Sequence, residues 1–255
     1  MAYEDKTKKP GEESVVYGRN AVSELLKSGR DVDKIFVHKG EREGSISVIV
    51  AEAIRRKIPV TEVEKQKLDR ICSGNHQGVC AFAAAVEYST VERILRIAEE
   101  KNEKPFICIA DGVEDPHNLG ALLRCCECAG VHGLIIPKRH SVTVNSTVEK
   151  ASAGAVSHVP VAKVPNVAAC IDELKKLGVW CYAAEAGGRS VYETDLDRAA
   201  AFVFGSEGRG VSRLVKEKCD GIVSIPMFGV INSLNVSCAA SVVLSYAANS
   251  RHRSV

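Results

Sequence analysis

The chain has 255 residues, enough for one large or two modest domains with a real core, which excludes a peptide-sized or disulfide-stapled scaffold. Hydrophobic residues make up 45% and charged residues 26%, close to the average of soluble globular proteins, so wholesale disorder and fibrous repeats are excluded too. The longest apolar run, Val79 to Val86, has eight residues, against about 18 for a membrane span. Because the first residues do not resemble a signal peptide, we expect a cytoplasmic protein without membrane segments.

Charge and cysteine usage narrow the class of protein only a little. Residues 1–89 hold 15 Lys and Arg against 14 Asp and Glu, and residues 90–255 hold 19 against 18, so neither half is a basic domain. Charge therefore allows a nucleic-acid partner without indicating one. Ten cysteines in an intracellular chain are expected to be free thiols, and the C-x-x-C at residues 125–128 has no second pair at zinc-finger spacing. We predict packing residues there and no metal site.

The amino-terminal part of the chain alternates between helices and strands. Residues 1–13 are charged and lack an apolar period, so they are predicted to form a frayed tail. The alternation that begins at Val15 predicts a compact α/β unit of about 75 residues. The predicted helices are Asn20 to Leu26, Ser47 to Arg56 and Lys65 to Cys72, and the predicted strands are Lys34 to His38, Pro59 to Val63 and Val79 to Val86.

An amphipathic helix is predicted next, from Thr90 to Lys101, and Pro105 follows it, so a domain boundary is expected in this neighbourhood. The remaining chain alternates again. Its predicted strands are Phe106 to Ala110, Gly133 to Ile136, Val179 to Ala183, Ala200 to Phe204 and Gly221 to Ile225, with helices near Leu119 to Ala129, Val167 to Leu177, Val211 to Glu217 and Val236 to Ala248. This order predicts a parallel sheet, in which ligands bind in the loops after the carboxyl ends of the strands.

The first loop of interest runs from Asp111 to Arg124 and leads into a helix. Asn118 is a good N-cap residue, and the apolar residues after it follow the period of a buried helix face. Arg124 lies outside that face, and long helical side chains lean toward the amino end, so its guanidinium is expected to return toward Asn118. This pair would suit an anion such as a phosphate. An N-cap followed by a solvated arginine is the simpler explanation of this stretch alone.

The second loop, residues 204–210, follows an apolar strand and reads Phe-Gly-Ser-Glu-Gly-Arg-Gly. Its glycines would let a ligand approach the main chain, and Glu207 adds a carboxylate. The spacing is G-x-x-G-x-G, which is neither a dinucleotide fingerprint nor a phosphate loop, and Phe204 stands where a hydrolase elbow needs glycine. A tight connection between a strand and a helix is the competing interpretation.

The third loop, residues 225–237, lies between a strand and the long final helix. Ser233, Asn235 and Ser237 are cap formers, so this loop could satisfy the first N–H groups of the helix without any ligand. That account leaves the small residues that follow, such as Ala239 and Ala240, unexplained, because they would let another segment pack closely on the helix.

Together the three loops resemble a known family. They carry D-x-V-x-D-P-x-N-x-G-x-x-x-R at 111–124, F-G-x-E-G-x-G at 204–210 and I-P-M-x-G-x-x-x-S-L-N-V-S at 225–237. In this order they are similar to the three signature motifs of the SpoU/TrmH family, which are S-adenosylmethionine-dependent RNA ribose 2'-O-methyltransferases of the SPOUT class. The amino-terminal stretch carries Val16-Tyr-Gly-Arg-Asn-Ala21 and Asn75-His-Gln-Gly-Val79. With these it resembles the ribosomal-protein-L30e-like domain of the 23S rRNA guanosine 2'-O-methyltransferase branch (RlmB-like).

The resemblance implies a fold and a division into domains. We expect an α/β protein with a trefoil-knotted methyltransferase domain that forms a homodimer. The expected domains are a tail at 1–13, an L30e-like RNA substrate-binding domain at 14–88, a linker helix at 89–104 and a SPOUT domain at 105–255.

The resemblance also implies the residues of the site. It places S-adenosylmethionine against Gly205, Ile225 and Leu234. It assigns catalysis or its support to Asn118, Arg124, Glu207, Ser233 and Asn235. In the small domain, Arg19, Asn20, His76 and Gln77 are candidate RNA contacts, and turn or cap roles are an equally good explanation for them.

The nucleophile poses the chemical problem, because a ribose hydroxyl is weak while it is protonated. Arginine is a poor base, since its pKa lies above about 12. We therefore hypothesise that Arg124 stabilises the developing alkoxide and the adjacent phosphate, and Arg124→Lys should separate this role from that of a base. The competing functions are a tRNA or rRNA-adenosine ribose methyltransferase and a non-catalytic RNA-binding ribosome-assembly factor.

Overall fold

The computed structural model describes residues 14–40, 44–72, 74–84 and 86–252, so the tail predicted at 1–13 lies outside the described residues. The chain divides into two compact units. The first consists of Met1–Glu87 with Thr143–Ser146, and the second of Tyr88–Val142 with Thr147–Val255.

The first unit is built on a mixed four-stranded sheet in the order β1-β4-β2-β3. β4 is antiparallel to both of its neighbours, whereas β2 and β3 are parallel. Apolar residues of α1 and α2, among them Val22 and Ile49, pack on one core cluster with Ile35 and Val79. The elements are β1 Ser14–Tyr17, α1 Arg19–Lys27, β2 Val32–His38, α2 Ser45–Arg55, β3 Val60–Val63, α3 Lys65–Ile71 and β4 Val79–Ala83.

The second unit is built on a six-stranded sheet in the order β10-β8-β9-β5-β6-β7, and all of its pairings are parallel, as predicted. β5 and β9 lie in the middle of the sheet and are buried along almost their whole length, which explains their uninterrupted apolar sequences. The strands are β5 Phe106–Asp111, β6 Gly133–Pro137, β7 Val161–Val164, β8 Trp180–Ser190, β9 Ala200–Gly205 and β10 Gly221–Ser224.

The helices after residue 88 connect these strands. They are α4 Val91–Glu100, α5 Pro116–Cys128, α6 Ser146–Ala151, α7 Val167–Lys176, α8 Arg213–Lys218 and α9 Val236–His252, with 3-10 turns at Ala155–Ser157 and Val191–Glu193. α4 covers almost all of the predicted amphipathic helix, and the Thr90 side chain caps it by accepting from Arg93 N. Its Ile94 is buried in the core of the second unit. The segment expected to be a linker helix is therefore a packed part of that unit.

Three strands differ from the predictions. β1 and β7 each have four residues and were not predicted, because so short a segment shows no clear period. β8 was expected to end at Ala183 but continues to Ser190. Its residues up to Ala183 and from Arg189 onward pair with β10, whereas residues 184–188 between them do not. We call residues 184–188 the β8 excursion. This excursion brings a fourth loop to the carboxyl end of the sheet.

Candidate active site

The loops after β5, β8, β9 and β10 converge at one end of the second sheet. A cavity of about 620 Å³ lies among the last three of them. All three residues that the family resemblance placed against the cofactor line it: Gly205, Ile225 and Leu234. Glu207, Ser233 and Asn235 line it as well, so the structure brings together most of the predicted site.

A hydrogen-bond network joins three polar side chains from the three signature loops. Asn118 Nδ2 donates to Glu207 Oε1 at 2.9 Å, Asn235 Nδ2 donates to the same oxygen, and Asn235 Nδ2 lies 3.0 Å from Asn118 Oδ1. A carboxylate only accepts hydrogen bonds, so Glu207 dictates that both amides turn their nitrogen toward it. The network therefore fixes the orientation of three side chains that are 117 residues apart at most.

Asn118 reaches this network from inside α5. We predicted it as the N-cap, and that prediction is wrong: the N-cap is Asp115, whose side chain accepts from His117 N, and Pro116 begins the helix. The side chain of an N-cap residue bonds to the N–H groups of its own helix. The Asn118 side chain instead bonds to Glu207 and Asn235 in two other loops, and the residue is only 8% exposed. Asn118 is thus free to serve the site.

The loop after β9 is a tight turn that holds Glu207 in place. Ser206 and Gly210 exchange two backbone hydrogen bonds, at 3.1 and 2.9 Å. A Cβ at Gly205 would lie 1.9 Å from the Gly210 carbonyl carbon, so glycine is needed there by the turn itself. The sequence suggested that this glycine lets a ligand approach, whereas the structure shows that it lets the main chain close on itself.

Asn235 also begins the final helix. Its Oδ1 accepts from Ser237 N at 2.9 Å and from Ser237 Oγ at 2.6 Å, so the cap role predicted for this loop is confirmed for Asn235. One side chain therefore caps α9 and holds Glu207. Ser233 is exposed and lines the cavity without joining this network.

Arg124 is exposed on α5. It lines neither the cofactor-sized cavity nor the cavity next to it, and Asn118 bonds to Glu207 and Asn235 instead. The expectation that its guanidinium returns to Asn118 stays a prediction.

Glu185 is a residue of the site that the sequence did not reveal. It lies in the β8 excursion, lines the cavity and forms an ion pair with Lys216 of α8. Gly210 has a φ of +66°, and a Cβ there would lie 2.5 Å from Glu185 Oε1. Glu185 thus packs against the turn that carries Glu207. The only sequence signal was a lone charge after a strand, which on its own is usually a solvated residue.

The four candidate RNA contacts lie in the first unit. Arg19 N donates to Gln77 Oε1 and Arg19 Nε to the Gln77 carbonyl, both at 3.0 Å. His76 is buried: its Nδ1 accepts from Gly78 N, so Nε2 carries the proton toward Asp69 Oδ1, 3.0 Å away. Asn20 is exposed. The structure thus gives the His76 ring a structural role and leaves Asn20 open to solvent.

The remaining features to consider are the cysteines, possible metal ligands and the length of the helices. All ten cysteines are free thiols; Cys126 is buried in α5, and Cys125 packs with its sulfur 3.6 Å from the Ser237 carbonyl oxygen. Among the described residues, no three His, Cys, Asp or Glu side chains are grouped so as to hold a metal ion. No described helix is both long and apolar enough to cross a bilayer.

Two family models match the chain in the two regions where the two units lie. One, described as the SpoU rRNA Methylase family, matches residues 105–245, and the other, described as RNA 2'-O ribose methyltransferase substrate binding, matches residues 15–89. The chain is thus an RNA methyltransferase with an added substrate-binding domain. The chain belongs to the SpoU/TrmH family, which confirms the resemblance drawn from the three loops.

Close relatives extend over nearly the whole chain. A Staphylococcus haemolyticus (strain JCSC1435) protein named as a TrmH family tRNA/rRNA methyltransferase is 45% identical over 243 residues, 95% of this chain and 98% of its own. A Bacillus subtilis (strain 168) protein of the same description, YacO, is 43% identical over 230 residues, 90% of this chain and 92% of its own.

Solved structures support the fold. The SpoU methyltransferase AviRb of Streptomyces viridochromogenes, in complex with AdoMet, superposes with a TM-score of 0.59 at 22% identity, over 95% of this chain and 92% of that one. The A. aeolicus TrmH/SpoU tRNA modifying enzyme gives a TM-score of 0.55 at 30% identity, over 64% of this chain and 84% of that one. The trefoil knot implied by the resemblance stays a prediction.

Proposed function

We propose that this protein transfers the methyl group of S-adenosylmethionine to a ribose 2'-hydroxyl of RNA. The observation that carries the proposal is the Asn118–Glu207–Asn235 network, which gathers the polar residues of three signature loops beside one cavity. As in the RlmB-like branch, we propose a guanosine of 23S rRNA as the target and the cytoplasm as the place of reaction.

The cavity fits the cofactor in size and in chemistry. Its volume of about 620 Å³ lies within the usual range for small-molecule sites. Glu185 and Glu207 line it, and carboxylates suit a ligand that carries a positive sulfonium. We propose that Gly205, Ile225 and Leu234 hold the cofactor, which supplies an electrophilic methyl group when it is bound.

The protein's own residues then have to align a ribose hydroxyl and help it to lose its proton. Glu207 Oε1 already accepts two amide N–H groups, which fixes the carboxylate and leaves Oε2 to accept from a hydroxyl. In this proposal Glu207 orients the ribose, and the two asparagines hold Glu207 rather than the substrate. In this proposal the proton leaves to water or to a phosphate oxygen.

We further propose that the active form is a homodimer. The loop between β10 and α9 presents large apolar side chains to solvent beside the cavity, namely Met227, Phe228, Val230, Ile231 and Leu234. Phe228 alone is 98% exposed, and a contiguous apolar patch of this kind is typical of a subunit contact. A second copy packed there would lie beside the cofactor cavity.

The proposal is tested by methyl transfer in vitro. The purified protein is incubated with S-adenosyl[methyl-³H]methionine and with transcribed, unmodified 23S rRNA, 16S rRNA or a tRNA pool. Labelled RNA is digested to nucleosides and separated, which identifies both the base and the 2'-O position. We expect label in 2'-O-methylguanosine from 23S rRNA. Label in tRNA or in 2'-O-methyladenosine would favour those substrates, and RNA binding without transfer would favour an assembly factor.

The homodimer has its own test. Sedimentation velocity is expected to give a dimer for the wild type and a monomer for Phe228→Glu. If Arg124 acts across the subunit contact, a mixture of Arg124→Ala and Glu207→Ala proteins regains activity that neither has alone. A wild-type monomer with full activity would contradict this part of the proposal.

A further inference from the structure

A second cavity, of about 840 Å³, adjoins the same network. It lies at the carboxyl ends of β9, β5, β6 and β7, which are neighbours in the sheet, whereas the first cavity lies toward β8 and β10. The turn of residues 206–210 lines both cavities, and Asn118 lines the second. Two ligands in the two cavities would therefore meet at Asn118 and Glu207.

Three arginines line the second cavity: Arg139 after β6, Arg209 in the turn after β9, and Arg213 at the start of α8. Arg139 and Arg209 are exposed, and in the part of the chain that the structure describes neither makes an ion pair or a hydrogen bond. Arg213 Nε lies 3.4 Å from Glu217 Oε1, but that side chain is 91% exposed, so the pair is weak. All three guanidinium groups are available to a ligand.

The carboxylates of this cavity are mostly occupied by the protein itself. Asp111 Oδ2 accepts from Ser212 N at 2.8 Å, and Asp115 accepts from His117 N at 2.9 Å. Glu207 accepts from the two asparagines of the network. Glu114 remains as an exposed carboxylate, and the imidazole of His140 also lines the cavity. The formal charges of the lining are three arginines against four carboxylates. Three of the carboxylates already accept hydrogen bonds from the protein, so the groups that stay open to a ligand are mainly the guanidinium groups, which suit an anionic ligand.

We propose that the second cavity binds backbone phosphates of the RNA next to the nucleotide whose ribose lies at the network. The inference rests on the proposed function, since the ribose must lie at Asn118 and Glu207. Guanidinium groups bind phosphate oxygens in a bidentate manner, which fixes the strand as well as attracting it. Arg139 and Arg213 would thus act as positioning residues for the substrate, on the catalytic unit itself.

The test measures RNA affinity as a function of salt for Arg139→Ala and Arg213→Ala. Neither residue lines the cofactor cavity, so S-adenosylmethionine binding by calorimetry should be unchanged. Binding of the transcribed 23S rRNA by filter assay should weaken about tenfold for each variant. The slope of log K against log salt should become shallower by about 0.7 for each phosphate that the variant no longer neutralises. Arg139→Lys should retain the slope, because it retains the charge.

The matched control is Arg96→Ala, which removes an exposed arginine of α4 outside both cavities. If the wild type methylates RNA and both cavity variants match this control in affinity and in slope, the phosphate site is refuted while the methyltransferase proposal stands. If the wild type neither binds RNA nor transfers methyl groups to it, both proposals fail.

Discussion

The two units of this protein use similar polar residues in opposite ways. In the second unit, Asn118, Glu207 and Asn235 come from distant loops and bond to one another beside a cavity. In the first unit, His76 bonds to Gly78 N and to Asp69 of α3, and Arg19 bonds to Gln77 in the turn before β4. Both clusters look functional in the sequence. What separates them is whether the hydrogen bonds leave an open space beside them or close a turn.

The largest effect is expected at the centre of the second-unit network. Glu207→Ala removes the carboxylate that both asparagines face, so we expect kcat/KM for methyl transfer to fall about 10²- to 10³-fold. Glu207 is exposed, so circular dichroism should show an intact fold. Glu99→Ala, an exposed glutamate of α4, is the control and should keep full activity. Activity of Glu207→Ala within threefold of the wild type would show that the network is not the site.

The next effect concerns the turn that carries Glu207. A Cβ at Gly205 would overlap the Gly210 backbone, so Gly205→Ala should cost about 3 kcal/mol of unfolding free energy. Gly208→Ala is the matched control in the same turn: its φ of +85° is strained for alanine, but nothing lies within 4 Å, so the cost should be about 1 kcal/mol. Urea unfolding measures both values. Equal costs would mean that the turn relaxes around Gly205.

In the first unit the same kind of change should affect stability instead of chemistry. His76→Ala leaves the Gly78 N–H without its acceptor in a buried place, so we expect a loss of about 1–3 kcal/mol in urea unfolding. Asn20→Ala should leave stability unchanged and, if Asn20 contacts RNA, weaken rRNA binding by about threefold. If His76→Ala kept its stability but lost RNA binding, His76 would be an RNA contact and not a structural residue.

The smallest effect is a pH dependence of the second unit. Burial lowers the pKa of His132, whose Nδ1 accepts from Phe106 N and whose Nε2 faces Glu103. The unfolded chain then takes up a proton before the folded one does, so stability is fully present above about pH 6.5 and falls as the pH drops toward the lowered pKa. The slope is at most about 1.4 kcal/mol per pH unit. His132→Gln should flatten urea-unfolding free energies between pH 5 and 7, and an unchanged slope would contradict this origin.

Local patterns were sufficient for most elements. The strands at β5 and β9 and the helices α4 and α7 were predicted to within about two residues at each end, because a buried face imposes a period on a single segment. The same patterns failed for β1 and β7, which are too short to show a period, and for the end of β8, where small and polar residues conceal a return to the sheet. The role of Asn118 was misjudged because a cap and a network residue look identical in one loop.

The amino-acid sequence by itself determined the family, the parallel sheet and the loops that carry the site, since motif order and strand periods are properties of the chain alone. Only the tertiary structure decided that Glu207 accepts from two asparagines and that Glu185 packs against the turn. The physical reason is distance: these contacts join residues up to 117 positions apart, and their geometry depends on how the strands lie side by side in the sheet.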